Sequence, residues 1–292
     1  MKTLDQTLQE IRKMDISVEE KKILLIQAGL KKNDIASLEF TGYFNPEIPL
    51  TFGVEMECYN VRYMDILNNQ SDGFQFVWEG YNHVDRRGVY KFTTDSSISG
   101  ADPRECVSPI LDNTTEGFNS LKACVSVLNR VGARVNRSCG LHVHVGVRNM
   151  SPTAIVNIYK NYQKLEALID SFMAPSRRGN TCQWCRTLQG YNFDDCETPE
   201  RVYRMMHSDR YHKVNPQAWY DHGTVEFRQH QGTLDYEKIS MWVNFCCKLV
   251  DWSKKHVLTE SLTSIDDIPF LNQKEKEFFN DRVNHFAMGA AA

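Results

Sequence analysis

Three short stretches carry side chains able to bind metal or phosphate, and each places a pair of them two residues apart. Thr51–Cys58 (TFGVEMEC) offers Glu55 and Glu57, Leu141–Val147 offers His142 and His144, and Thr224–Gln229 offers Glu226 and Arg228. Side chains two apart on an extended strand point the same way, so each pair projects into one space. If the strands share a sheet, its polar face gathers carboxylates, imidazoles and a guanidinium. Carboxylates so crowded repel one another and rise in pKa unless cations neutralise them. Oxygen-rich donors with some imidazole suit Mg2+ or Mn2+ better than Zn2+. The pattern predicts a metal-assisted site for a phosphate-bearing substrate. Each stretch also has an ordinary reading taken singly. Glu-x-Glu is often the solvated side of a sheet, His-x-His serves structure as often as ligation, and Glu226 and Arg228 can pair with cross-strand neighbours.

The elements that must hold these groups follow from hydrophobic periodicity. Alternation predicts strands over Thr51–Cys58, Val89–Thr93, Arg104–Val107, Leu141–Val147 and Thr224–Gln229. Phe118, Leu121, Val125, Leu128 and Val131 recur at helical spacing before Gly132, a natural stop. Ser151-Pro152 starts a helix through Ile155, Ile158, Tyr159, Tyr162, Leu165, Ile169 and Phe172. Asp235 caps another carrying Ile239, Trp242, Phe245 and Leu249, and residues 272–286 form the last, before a frayed tail at Gly289. Residues 174–200 are polar and turn-rich and read as one long loop.

Ahead of these lies a helical headpiece, residues 1–45. Leu4, Leu8 and Ile11 fall at helical spacing, and Ser17 with Glu20 makes a capping box before Ile23, Leu24 and Leu25. The segment Phe44–Pro49 reads as a linker. The expected organisation is α+β: this headpiece, then one domain over 46–292 with a mostly antiparallel sheet backed by helices. The headpiece carries no chemistry of its own; it is a structural extension or a surface for a protein partner or self-association.

Composition narrows the classes. The chain has 292 residues, 34 Lys+Arg against 37 Asp+Glu, and 41% hydrophobic content, ordinary for a globular protein. A net charge of −3 supplies no basic field for nucleic acid or an anionic membrane. No apolar run reaches about 18 residues, and the N-terminus lacks a signal-peptide core; a cytoplasmic location is expected. Nine scattered cysteines, an odd number, read as free thiols. Cys182-Gln-Trp-Cys185, with Cys196 and His207 or His212 beyond, invites a zinc reading but lacks the second close pair of a structural site. Thiol–disulfide chemistry lacks its usual βαβ setting. No P-loop or Gly-x-Gly-x-x-Gly cradle occurs.

Five motifs in order then resemble a known family: Phe52-Gly-Val-Glu-Met-Glu-Cys, Thr94-Asp-Ser-Ser-Ile, Arg104-Glu-Cys-Val-Ser-Pro-Ile-Leu, Cys139-Gly-Leu-His-Val-His-Val and Gly223-Thr-Val-Glu-Phe-Arg-Gln-His-Gln-Gly-Thr-Leu-Asp. They look like the amidoligases, relatives of glutamate–cysteine ligase and glutamine synthetase found in phage and bacterial genomes, over roughly residues 50–250. The resemblance implies a curved sheet whose concave face is the active site. There, ATP phosphorylates a small-molecule or peptide carboxylate and an amine attacks the acyl phosphate. It implies metal ligands (Mg2+ or Mn2+) at Glu55, Glu57, Glu105, His142 and Glu226, with Asp95 lining the same region. His144 would face the nucleotide phosphates and Arg228 the transferred phosphoryl group; Asp95, Glu105 and Arg228 form the implied catalytic set, with the general base left open. Arg210–Asn215 also resembles a family segment, and Lys213 or Asn215 would touch phosphate, although surface polarity explains both equally. Arg177, Arg178 and Asn180 either bind a substrate carboxylate or form a solvated charge run, which composition favours. By alternation His230 joins Arg228 in the site unless a bulge intervenes.

Two rivals remain. A metal-dependent hydrolase or cupin-like oxygenase would use His142 and His144, but no Glu follows at the expected spacing in Gly146-Val-Arg-Asn. A degenerate ligase fold would serve as a scaffold, binding through its headpiece.

Overall fold

The structure is a computed structural model that describes residues 4–14, 18–35, 50–70, 74–82 and 88–289. The capping box at Ser17, the linker 44–49, the domain boundary within it and the last three residues lie outside the described residues. Two N-terminal helices, α1 (Leu4–Lys13) and α2 (Val18–Gln27), bring Ile11 and Leu25 together with Ile35 in a small apolar cluster of their own.

The rest is α+β. Among the described residues eight strands form one sheet: β1 (Thr51–Cys58), β2 (Phe76–Trp78), β3 (Tyr90–Thr93), β4 (Arg104–Val107), β5 (Leu111–Asp112), β6 (Gly140–Gly146), β7 (Val214–Asn215) and β8 (Thr224–Gln231). Their order is β2-β3-β4-β1-β6-β8-β7, with β5 also on β1. Every pairing is antiparallel except β2 with β3. The split between β4 and β5 has a local cause. Pro109 has no N–H for a ladder, and the Ser108 hydroxyl accepts from the Val54 amide at 2.9 Å.

Alternation sends one side of each strand into the core. Phe52, Val54 and Met56 of β1, Leu141, Val143 and Val145 of β6, and Val225 and Phe227 of β8 are fully buried. Burial of each such side chain contributes about 1.5–3 kcal/mol. They face α4 (Thr115–Arg130), α5 (Pro152–Phe172) and α8 (Tyr236–Ser253); Phe52 meets Phe118 at 5.1 Å and Phe227 meets Tyr162 at 5.8 Å. Thr114, Ser151 and Asp235 cap these helices through their side-chain oxygens. The last helix, α9 (Gln273–Gly289), packs Phe279 on Phe172 at 4.6 Å.

Several short elements lie where no pattern predicts them. These are α3 (Tyr63–Asn68), α6 (Pro199–Met205), α7 (Ala218–His222) and strands β2, β5 and β7. Two or three residues of strand show no period, and their pairing comes from tertiary contacts. The 174–200 segment holds two single turns of 3-10 helix before Pro199 opens α6. Among the described residues no helix is long and apolar enough to cross a membrane.

Candidate functional site

The face of the sheet opposite the helices collects the charged groups. In register, Glu55 stands against His142, Glu57 against Glu105, and His144 against Glu226. Thr93 pairs with Glu105 in turn, so β3 and β4 extend the same face. Asp95 follows in a turn, its carboxylate accepting from the Ser97 amide at 2.6 Å.

His142 Nδ1 lies 3.0 Å from Glu55 Oε2 and 3.6 Å from Glu226 Oε1, and its Nε2 lies 3.6 Å from Glu57 Oε1. The Gly140 amide donates to Glu57 Oε2 at 2.6 Å. A Cβ at Gly140 would come within 2.8 Å of His142 Nε2, so any larger residue there must displace the imidazole. His144 Nδ1 is bonded to the Thr224 hydroxyl at 2.9 Å, which leaves Nε2 turned to Glu55 Oε1 at 3.3 Å and Glu226 Oε1 at 3.9 Å. That buried nitrogen has no aligned hydrogen-bond partner. Arg228 Nη1 pairs with Glu226 Oε1, Arg228 Nε donates to the Trp184 carbonyl at 3.3 Å, and Asn215 Nδ2 donates to Glu226 Oε2 at 2.5 Å.

Charge is unevenly balanced across this face. Burial pushes Glu55 up, but the hydrogen bond with His142 and the attraction of the two nearby imidazoles outweigh it and hold the carboxylate well below its ordinary range. Burial likewise opposes ionisation of Glu226, yet Arg228 and His144 bring it down to about 2. Glu105 goes the other way: burial first, then Glu55, Glu57 and Asp95, raise it well above normal against the pull of Arg228. Burial lowers His144, but Glu226 and Glu55 more than reverse that, so it rises.

The donors fit a divalent cation. Three sets place one atom from each residue within 4.8 Å of the others: Glu55, Glu105 and His142; Glu55, His144 and Glu226; Glu57, Asp95 and Glu105. The orphaned His144 nitrogen and the uncompensated Glu105 are the features a hard cation with oxygen and imidazole ligands would satisfy. Beside Glu55 and His144 opens a cavity of about 560 Å3, floored by Gly53 and Gly146 and walled by Val107, Pro109, Ile110 and Met150.

Sequence reasoning and structure part company at Lys213. Its ammonium points away from the cluster and is buried between Glu166 Oε1 at 2.7 Å and Asp170 Oδ1 at 2.6 Å, both on α5. The segment preceding β7 therefore delivers Asn215 to the site and Lys213 to the helix layer. His230 is also absent from the cluster. Leu141 pairs with His230 but Val143 with Phe227, so β8 carries an extra residue there. The bulge turns His230 onto the helix side, 5.7 Å from the Trp242 ring. Arg178 and Asn180 bind their own loop: Arg178 Nε donates to the Met173 carbonyl and Asn180 accepts from the Thr187 amide. Arg177 is buried rather than solvated, with Nη2 on the Cys139 carbonyl at 2.5 Å. Cys196 sits by Met205, while Cys182 and Cys185 pair with each other. Thr224, Gly140 and Trp184 were not anticipated as partners of the cluster; only Gly140, a glycine beginning a strand, carried a signal.

A family model described as "putative amidoligase enzyme" matches residues 48–250, more than half of the chain and the span that holds the whole cluster. No curated protein matches the chain.

Proposed function

Because the chain belongs to the amidoligase family, we propose that it forms an amide bond between a carboxylate and an amine at the expense of ATP, with Mg2+ or Mn2+ as cofactor. Family membership points to a ligase-type enzyme. The observation that carries the finer reading is the convergence of Glu55, Glu57, Glu105, His142, His144, Glu226 and Arg228 on one sheet face.

In this reading Glu55, Glu57, Asp95, Glu105, His142, His144 and Glu226 would hold divalent cations, which would neutralise phosphate oxygens. Phosphoryl transfer asks the protein for positioning and charge stabilisation. The rigid floor of β1, β6 and β8 supplies the first. Arg228 supplies the second: its guanidinium is fixed by Glu226 and the Trp184 carbonyl, ready to grip oxygens of the phosphoryl group moving to the substrate carboxylate. Asn215 keeps Glu226 oriented, as Thr224 does His144. The cavity beside His144 suits the nucleotide, with an apolar wall for a flat base and glycines beneath the phosphates. The proton lost by the attacking ammonium passes to one of the carboxylates of this face.

The test is ADP release from ATP with pooled carboxylates and amines, with and without Mg2+, in the parent, Glu57→Gln and Arg228→Ala. Metal-dependent release lost in both variants supports the ligase. Turnover without ATP would instead favour hydrolysis, and nucleotide binding with no product from any pool would favour a scaffold.

A further inference from the structure

The loop between α5 and α6, which brings the Trp184 carbonyl to Arg228, also carries two cysteines that the mechanism above does not use. Cys182–Cys185 is one turn, closed by the Cys185 amide donating to the Cys182 carbonyl at 3.3 Å. Such a turn keeps its end Cα atoms within about 7 Å, close to the span of a disulfide. Cys185 is buried and Cys182 partly exposed. Arg177 Nη1 lies 3.8 Å from Cys182 Sγ while Nη2 anchors on the Cys139 carbonyl. The hydrogen bond from the Cys185 thiol, opposed by burial and aided by Arg177, brings the Cys182 thiol down to about 5; that bond and burial push Cys185 up. A partly exposed thiolate with a buried thiol behind it is the arrangement that thiol–disulfide exchange uses.

The turn is tied to Arg228. Trp184, inside it, accepts from Arg228 Nε through its carbonyl, and its ring meets Tyr211 at 5.0 Å. The Tyr211 ring lies 6.0 Å from the Arg228 guanidinium. Arg186, next in the chain, exchanges backbone hydrogen bonds with Tyr211 and Lys213, and the Lys213 carbonyl accepts from the Arg228 amide.

We propose that Cys182 and Cys185 form a reversible, redox-sensitive pair whose disulfide withdraws the Trp184 carbonyl from Arg228 and slows the reaction. The last effect rests on the ligase reading. The oxidant is a low-molecular-weight disulfide. Cys182 sulfur attacks one of its sulfurs and expels the other as a thiolate. Cys185 then gives up its proton and displaces the remaining thiol from Cys182. Two protein thiols are oxidised and one external disulfide is reduced to two thiols.

The full chain is incubated with oxidised glutathione, alkylated and mapped by mass spectrometry. A Cys182–Cys185 bond reversed by dithiothreitol is expected, with glutathione trapped on Cys182 in Cys185→Ala and no adduct there in Cys182→Ser. An unreactive Cys182, or pairing with another cysteine, overturns the proposal. Hydrogen exchange reads the coupling without turnover: amides over 211–213 and 224–231 should exchange at least threefold faster after oxidation, and unchanged exchange refutes the link to Arg228. If the reduced chain releases ADP, oxidation should lower that rate at least tenfold in the parent and leave Cys182→Ser unaffected; undiminished release with the bond formed overturns the regulatory effect. A chain without ligase activity leaves the mapping and exchange results equally decisive.

Discussion

Lys213→Met separates a structural ammonium from a ligand-binding one. Lys213 is wholly inaccessible, and its two carboxylate partners stand at 2.6 and 2.7 Å, with Glu166 nearly inaccessible and Asp170 one-fifth exposed. Removing one partner of a buried ion pair costs about 3–5 kcal/mol, because the charge left behind is uncompensated. Here the orphans keep other donors: Glu166 retains the Leu188 amide and the Thr187 hydroxyl, and Asp170 the Gly179 amide and Gln229. The expected loss is therefore at the low end, about 3 kcal/mol. For a domain of this size that lowers Tm by about 6–12 °C. Urea unfolding followed by circular dichroism measures it, with an unchanged slope expected if the native fold persists. Adding Glu166→Gln should restore about 1–2 kcal/mol by deleting one unpaired charge. The reasoning fails if Lys213→Met unfolds within about 0.5 kcal/mol of the parent while nucleotide affinity collapses. That result would return Lys213 to the site.

Other outcomes follow from the same geometry. Burial and the nearby Arg282 and Arg177 hold His230 down at about 3, below an unfolded value of about 6.5. The unfolded chain thus binds the extra proton, and stability present above pH ~6.5 is lost as pH falls, by about 2 kcal/mol at pH 5; His230→Gln should flatten this slope in urea titrations. Glu105 holds its proton above the ordinary carboxylate range, so Mn2+ binding should release about one proton and tighten as pH rises, as calorimetry in buffers of different ionisation enthalpy will show. Gly140→Ala drives a methyl against His142 Nε2; it should weaken Mn2+ binding about tenfold or more, in the manner of other displaced outer-shell partners. Arg228→Lys keeps the charge but not the fork held between Glu226 and Trp184, and ADP release should fall about 100-fold.

What the sequence disclosed is what period two can disclose. Glu55, Glu57, His142, His144, Glu226 and Arg228 lie on strands long enough to alternate, so the shared face could be read before any coordinates. Glu105 sits on a four-residue strand and Asp95 in a turn; both needed a family resemblance. Lys213 and His230 lie outside the cluster for different reasons. A resemblance to a family segment says nothing of which layer Lys213 enters ahead of a two-residue strand, and the alternation that would bring His230 beside Arg228 is broken by a bulge. The residues that fix the site from outside the sheet, Trp184 and Arg177, lie in a loop whose course depends on contacts remote in sequence.

The balance of charge differs between the two ends of this face. Glu55 and Glu226 are kept ionised by neighbours the protein itself provides: His142, His144 and Arg228. The Glu57–Asp95–Glu105 set contains no imidazole, and Arg228 supplies the attraction that opposes the rise of Glu105. Like charges left uncompensated in a buried site are stable only when protonated or metal-bound. Under the ligase reading proposed above, a divalent cation would therefore gain most at the carboxylate end, and the histidine end, already partly neutral, would gain less.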